Sequence, residues 1–460
     1  MARIERDSLG TKRVPSAVYY GIQTLRAVEN FPISGLRLQP EMVQAYAYIK
    51  KAAAQANASV GWLPRRWGGA ISRACDEILR GKLADQFVVD VYQAGAGTSF
   101  NMNANEVIAN RANEFLGGRK GTYAPLRPND HVNMAQSTND TFPTAIRLAC
   151  LLAWPDLEQA MRRLETSLER KGRQFRGIVK AGRTHLQDAV PVRLGGEFAA
   201  YAVAVRKARE AVECAADALH ELNLGGTAVG TGMNTHPRYR ALAVRALRRW
   251  MRLPLRPAED LQERTQSAAD FARVSGALRS YALELIRIAN DLRLLSSGPN
   301  TGFAEIELPA RQPGSSIMPG KVNPVMPEMV DMVGFQVLGH DLTVAAATQA
   351  GQLELNVMMP VIAYNLLQSI HLLTNASRVL AAKCIDGITT DAKRCEMLAR
   401  RSVALVTALA PELGYLNAAK IAKESLKTGK SIQALVVEHR LLSIANAKHL
   451  LDPHRLSRSA

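Results

Sequence analysis

Cysteine is scarce: five residues (Cys75, Cys150, Cys214, Cys384, Cys395) in 460 positions, odd in number and widely spaced. With no C-x-x-C pair and no Cys/His cluster, a disulfide framework and a zinc module are both excluded, and the thiols read as reduced core residues. Long apolar runs are missing too. No stretch approaches the roughly 20 uninterrupted apolar residues of a spanning helix. The N-terminus MARIERDSLGTKRVPS lacks the apolar segment of a secretory signal, so a cytoplasmic location without membrane contact is expected. Aromatics make up 5%, and strand-like alternation is rare. Acids are outnumbered, 41 against 58 Lys and Arg, for a net charge of +17. That excess alone fits nucleic-acid binding, attraction of an acidic substrate or a solubilising surface.

What is present is globular: 47% hydrophobic and 22% charged residues, on a chain long enough for about three domains. Apolar residues fall in steps of three and four. The series Phe271, Val274, Leu278, Tyr281, Leu285, Ile288, Leu292, Leu295 marks one seam along a single long helix. Phe198 to Leu222, Leu157 to Phe175 and Leu366 to Leu380 repeat the rhythm. The fold is therefore expected to be mainly all-α, with a central bundle of long helices over 139–392. A mixed, mostly helical domain (1–138) precedes it, and a small helical domain (393–460), broken at Pro411 and Gly414, follows. Seams alone would fit a coiled-coil scaffold without chemistry. The polar, glycine-rich connections between them argue otherwise.

Four such segments stand out. Gly95-Ala96-Gly97-Thr98-Ser99, followed by Asn101, Asn103, Asn105 and Glu106, reads either as a carboxylate cradle or as a glycine-rich helix start. Asn129 to Asn133 and Gln136-Ser137-Thr138-Asn139-Asp140 lead into a helix, where first-turn N–H groups can hold an anion. Gly182 to Asp188 carries His185, whose ordinary pKa suits proton transfer near neutrality, although a lone histidine can equally be structural. Gln312-Pro313-Gly314-Ser315-Ser316-Ile317-Met318-Pro319-Gly320-Lys321-Val322-Asn323-Pro324 has the composition of a hinged loop offering a cation and an amide.

The run GSSIMPGKVNP resembles the signature of the fumarase/aspartase superfamily, whose members cleave a C–N or C–O bond and release fumarate. The other three segments match the family's active-site regions in order and separation. The likeness extends over essentially the whole chain. Tyr19 to Arg26, Gly97-Thr98-Ser99, Pro324 to Glu328 and Gly351 to Val357 are similar to the aspartase branch, whereas Thr184-His185 is typical of the hydratases but shared by some aspartases, so it does not discriminate. The hydratase-type secondary carboxylate site would need a histidine near Arg127, and none is read there. Asp331 and His340 stand where the aspartases carry asparagine, which bears on helix contacts.

The resemblance implies an L-aspartate site that releases fumarate and ammonia, with Ser315 as base, Lys321 stabilising its alkoxide, and His185, oriented by Glu328, assisting. It implies Ser137, Thr138 and Ser316 on the β-carboxylate, Thr98 and Asn139 nearer the amino group, with Ser99 beside them, and Thr184, Lys321 and Asn323 on the α-carboxylate. No metal and no organic cofactor is expected. A homotetramer is, with each site built from three subunits, because the seam from Phe271 to Leu295 looks too long for one domain to cover. The alternative within the family is fumarate hydratase, acting on malate. A nucleic-acid binder, prompted by the acid-free stretch Arg238, Arg240, Arg245, Arg248, Arg249, Arg252, Arg256, is less favoured, since the arginines lack interleaved stacking aromatics.

Overall fold

The computed structural model describes residues 1–457. The chain opens with a hairpin that the sequence reading left as turn and helix: β1 (Ala2–Asp7) pairs antiparallel with β2 (Gly10–Pro15). The helices α1 (Ile22–Asn30), α2 (Pro40–Ser59), α3 (Arg65–Leu79) and α4 (Thr98–Phe115) follow. Next come α5 (Thr138–Gln174), a second hairpin of β3 (Val179–Thr184) and β4 (Gln187–Arg193), and α6 (Leu194–Ala216). The remainder is α7 (Tyr239–Met251), α8 (Leu261–Gln266), α9 (Ala269–Leu295), α10 (Val325–Gln349), α11 (Met359–Val379) and α12 (Ala392–Arg401), followed by short helices. Among these, α13 (Ala410–Leu413) and α14 (Tyr415–Thr428) are separated at Gly414, as the sequence leads one to expect. The architecture is mainly α.

Two compact units emerge. The first comprises 1–158, 210–280 and 335–373; the second comprises 159–209, 281–334 and 374–460. In the first, α2 packs on α3 and α7, and α3 on α4. Pro40 at the first helical position starts α2, and an alanine-rich run lets neighbours approach closely. A buried ion pair, Arg147 to Asp270 at 2.9 Å, ties α5 to α9. In the second unit α12 packs on β3, and Leu405, Leu409, Ile421, Leu435 and Val436 form a small core of their own near the C-terminus.

The seams are buried as their spacing requires. Along α9 every seam residue from Phe271 to Leu295 is at most 7% exposed, each burial contributing about 1.5–3 kcal/mol for a large aliphatic or aromatic side chain. The chain therefore covers this seam by itself, which corrects the reason given above for expecting partner helices. Off the seam, α9 leaves Leu283 and Leu294 48% and 39% exposed, and α10 leaves Met332, Phe335 and Leu342 64%, 59% and 71% exposed. Asp331 and His340 are both engaged, the first accepting from Arg293 at 3.0 Å, the second within 3.0 Å of the Ser369 hydroxyl.

Candidate active site

In the first unit, Gly97 begins α4 from the left-handed region (φ +85°), and a Cβ there would lie 2.1 Å from the ring of Phe142 on α5. Only glycine meets both demands, so the helix start and the segment Gln136 to Asp140 are brought close together. Thr98 is exposed, while Ser99 is buried, with its Oγ accepting the Ala94 N–H at 3.4 Å. The Ala96 N–H donates to the Val357 carbonyl at 2.7 Å, which places Val357, the end of the Gly351 to Val357 stretch, against the same glycine-rich start.

Ser137 caps α5. Its Oγ accepts the Asn139 N–H at 3.2 Å while the Asp140 carboxylate accepts the Ser137 N–H at 2.9 Å, a reciprocal capping box. Asp140 also receives the Gly225 and Thr227 N–H groups at 2.9 and 3.1 Å. Burial pushes its pKa up to about 6, against the pull of these donors and of Lys50. Thr138 is buried, and Asn139 donates to the Ala228 carbonyl at 2.8 Å.

Lys50 was missed by the sequence reading. Its ammonium is wholly buried and donates to the side-chain oxygens of Asn101 at 2.8 Å and Asn133 at 3.0 Å. Asn133 in turn donates to the Gln136 carbonyl at 3.2 Å. One cation thus braces α4, three residues past Thr98, and the segment that ends in Ser137. Burial lowers its pKa to about 7, with Asp140 opposing. A signal existed: Tyr46, Lys50, Ala53 and Asn57 recur in steps of four and three, so Lys50 stands in phase with the buried face of α2.

A second correction concerns Arg127. A histidine does stand beside it, because the Arg127 N–H donates to His131 Nδ1 at 2.9 Å across the turn Pro128–Val132.

In the second unit, Thr184 and Gln187 close a hairpin whose two turn residues, His185 and Leu186, have φ of +54° and +59°. Such a turn usually takes Asn-Gly, so placing His185 there stores backbone strain and holds the imidazole out at an exposed tip. The hairpin is anchored from below: Arg183 forks onto the buried Glu305 at 2.9 and 3.0 Å and stacks 4.0 Å from the Phe303 ring centroid.

The Ser315 loop belongs to the same unit. Ser315 Oγ accepts two backbone N–H groups, from Ile317 at 3.2 Å and Met318 at 3.0 Å. The loop closes at its base through the Gly314 N–H to the Lys321 carbonyl, 2.7 Å, and the Asn323 side-chain amide to the Gly314 carbonyl, 2.6 Å. A Cβ at Gly314 would meet that Lys321 carbonyl at 2.6 Å. Ser316 and Lys321 are exposed. The Lys321 ammonium, the His185 ring and the Glu328 carboxylate have no side-chain partner among the described residues, and His185 and Glu328 do not bond to each other. Five of the implied residues (Thr98, Ser99, Ser137, Thr138, Asn139) therefore lie in the first unit and six (Thr184, His185, Ser315, Ser316, Lys321, Asn323), with Glu328, in the second. Among the described residues no three His, Cys, Asp or Glu side chains cluster as they would to hold a metal ion.

Comparison with known proteins adds the following. Residues 10–339 match the sequence pattern of the family described as Lyase, and residues 405–458 that described as Fumarase C C-terminus. The aspartate ammonia-lyase of Pseudomonas aeruginosa is 52% identical over 458 residues, 99% of this chain and 97% of that protein. That of a Bacillus species is 47% identical over 455 residues, covering 99% and 97%. Among solved structures, the fumarate lyase:delta crystallin of Brucella melitensis superposes with a TM-score of 0.97 at 49% identity, covering 100% of both chains. The class II fumarase of Schistosoma mansoni gives a TM-score of 0.97 at 35% identity, covering 99% of both.

Proposed function

The chain belongs to the fumarase/aspartase superfamily of lyases, and we propose that it catalyses the reversible deamination of L-aspartate to fumarate and ammonia. Removing a proton from the β-carbon puts a second negative charge on the neighbouring carboxylate, as an aci-carboxylate. The C–N bond then breaks, its electron pair leaves with the nitrogen, and the C=C bond of fumarate forms. A site for this reaction must strengthen its grip on one carboxylate as charge develops there. Ser137, Thr138 and Ser316 are assigned to that carboxylate, Thr98, Ser99 and Asn139 to the amino end, and Thr184, Lys321 and Asn323 to the α-carboxylate.

One observation carries the assignment of the base. Ser315 Oγ receives two backbone N–H groups in a loop that also bears a cation, Lys321, without a partner among the described residues. A serine hydroxyl is a poor base until ionised, and converging N–H groups with a nearby cation stabilise the alkoxide. His185 then assists by binding substrate. Preference for aspartate over malate rests on relatives 47–52% identical along their full length that bear the name aspartate ammonia-lyase. The test is the ultraviolet absorbance of fumarate formed from each substrate: faster formation from L-malate would assign the chain to the hydratases.

We further propose a homotetramer whose sites draw on three subunits, working in the cytoplasm on small soluble metabolites. The exposed Met332, Phe335 and Leu342 on α10 support an interface between copies, and a stable, active monomer in sedimentation would exclude it. All five cysteines are free, in keeping with a reducing compartment, and no helix among the described residues is long and apolar enough to cross a membrane.

A further inference from the structure

The arginine-rich stretch from Arg238 to Arg256 has no part in the proposed lyase site. Most of it forms α7, and Arg245 and Arg249, one turn apart, border a groove between α7, α2 and α3. The larger chamber, about 530 Å3, is lined among others by Lys51, Gln55, Arg65, Ser72, Arg249 and Trp250. A smaller one of about 190 Å3 shares Gln55, Ser59 and Arg249 with it and adds Arg245.

No acidic residue lines either chamber. Lys51 is already neutralised by Asp76 at 2.6 Å, and its ammonium sits 4.5 Å from the Trp250 ring centroid. Arg65, Arg245 and Arg249 have no carboxylate partner among the described residues, which leaves the groove with three uncompensated guanidinium groups. The arginine run does hold aromatics that the sequence reading overlooked: Tyr239, which is buried, and Trp250, which faces the same chamber. An independent feature points the same way. The helix α3 starts at Arg65, with Pro64 in the cap position, no side-chain cap and no acid in its first turn. Cations at the positive end of a helix dipole repel it, the reverse of the usual placement, and an anion there relieves both the dipole and the arginines. Arginines on a merely solvated helix face need not converge on a chamber with residues of two other helices.

We propose that this groove binds a polyphosphate anion, a small molecule carrying two or more phosphate groups. Guanidinium forks match phosphate oxygens, and each phosphate group brings about −1.5 to −2 charges, so two of them balance three arginines. The volume lies in the range of about 300–1,000 Å3 typical of drug-sized ligands, more than a four-carbon diacid fills.

Calorimetry on the full-length protein, with inorganic tripolyphosphate and ATP as probes, tests this. Saturable binding of one probe molecule per chain is expected for both, undisturbed by saturating succinate, a substrate-like diacid. Tighter binding of ATP indicates an organic ligand in contact with Trp250, and equal binding an inorganic one. Arg65→Gln, Arg245→Gln and Arg249→Gln should each weaken binding at least about tenfold, the scale of one charge-assisted hydrogen bond, with unchanged far-ultraviolet circular dichroism. No saturable binding of either probe, undiminished binding in the triple variant, or binding only of duplex DNA would overturn the proposal. The readout is independent of lyase activity.

Discussion

The ammonium of Lys50 lies 3.0 Å from the side-chain oxygen of Asn133, wholly buried and, among the described residues, without a carboxylate in hydrogen-bond contact. Because Asn133 also holds the Gln136 carbonyl, and Asn101 stands one turn past Thr98, this cation sets the spacing of two of the proposed substrate-binding segments.

Lys50→Met is expected to raise KM for aspartate about tenfold, with kcat changed less, because the segments lose their common brace. The pH dependence separates this from a general packing defect. With a pKa of about 7 when folded, against 10.5 ordinarily, Lys50 releases its proton in the folded protein well before the unfolded chain does. The unfolded state then binds more protons, so wild-type stability gains from this residue as pH rises from about 7 to about 10. Urea midpoints across that window should show the gain in the wild type and a flatter profile in the variant.

Ser137→Ala removes the donor proposed for the carboxylate that gains charge, and its main loss should fall on kcat, about 2.7–4 kcal/mol in barrier. Since Ser137 also caps α5, a stability loss of about 1 kcal/mol should accompany it, visible in denaturant melts. A rise in KM alone would move Ser137 out of the charge-developing pocket.

Lys321 is exposed and its ammonium has no partner among the described residues, so Lys321→Met should leave the melting temperature unchanged. In the proposed site its cation serves both the α-carboxylate and the Ser315 alkoxide. Steady-state kinetics should therefore show KM raised and kcat lowered together; a change in KM alone would remove its part in activating Ser315.

His185→Gly separates the needs of the fold from those of the site. Glycine suits φ of +54°, so thermal stability should hold or rise slightly, while kcat/KM falls about 100-fold if the imidazole assists the reaction. An unchanged kcat/KM would make His185 a turn residue and nothing more.

How much of this was legible in the sequence differs from element to element, for physical reasons. The seam from Phe271 to Leu295 could be read because a helix that buries one face must repeat in steps of three and four, and every one of those residues is buried. The Ser315 loop could be read because its glycines and prolines are punctuation with few uses. The hairpin around His185 could not: neither turn residue is a glycine or asparagine, and the strain that marks it appears only in the backbone angles. Lys50 was overlooked because lysine ordinarily signals solvent, and its role depends on Asn101 and Asn133, which lie 51 and 83 residues away in the chain. The N-terminal strands were missed since the one large apolar residue of β1, Ile4, is exposed and leaves little alternation to detect.

The central claim, that Ser315 is the base of an aspartate-deaminating site, is tested most directly by the steady-state rate of fumarate formation from L-aspartate in Ser315→Ala. The loop tip contributes little to the core, so circular dichroism and sedimentation should match the wild type while fumarate formation falls to background. A kcat equal to that of the wild type would contradict the assignment and move proton abstraction to another group.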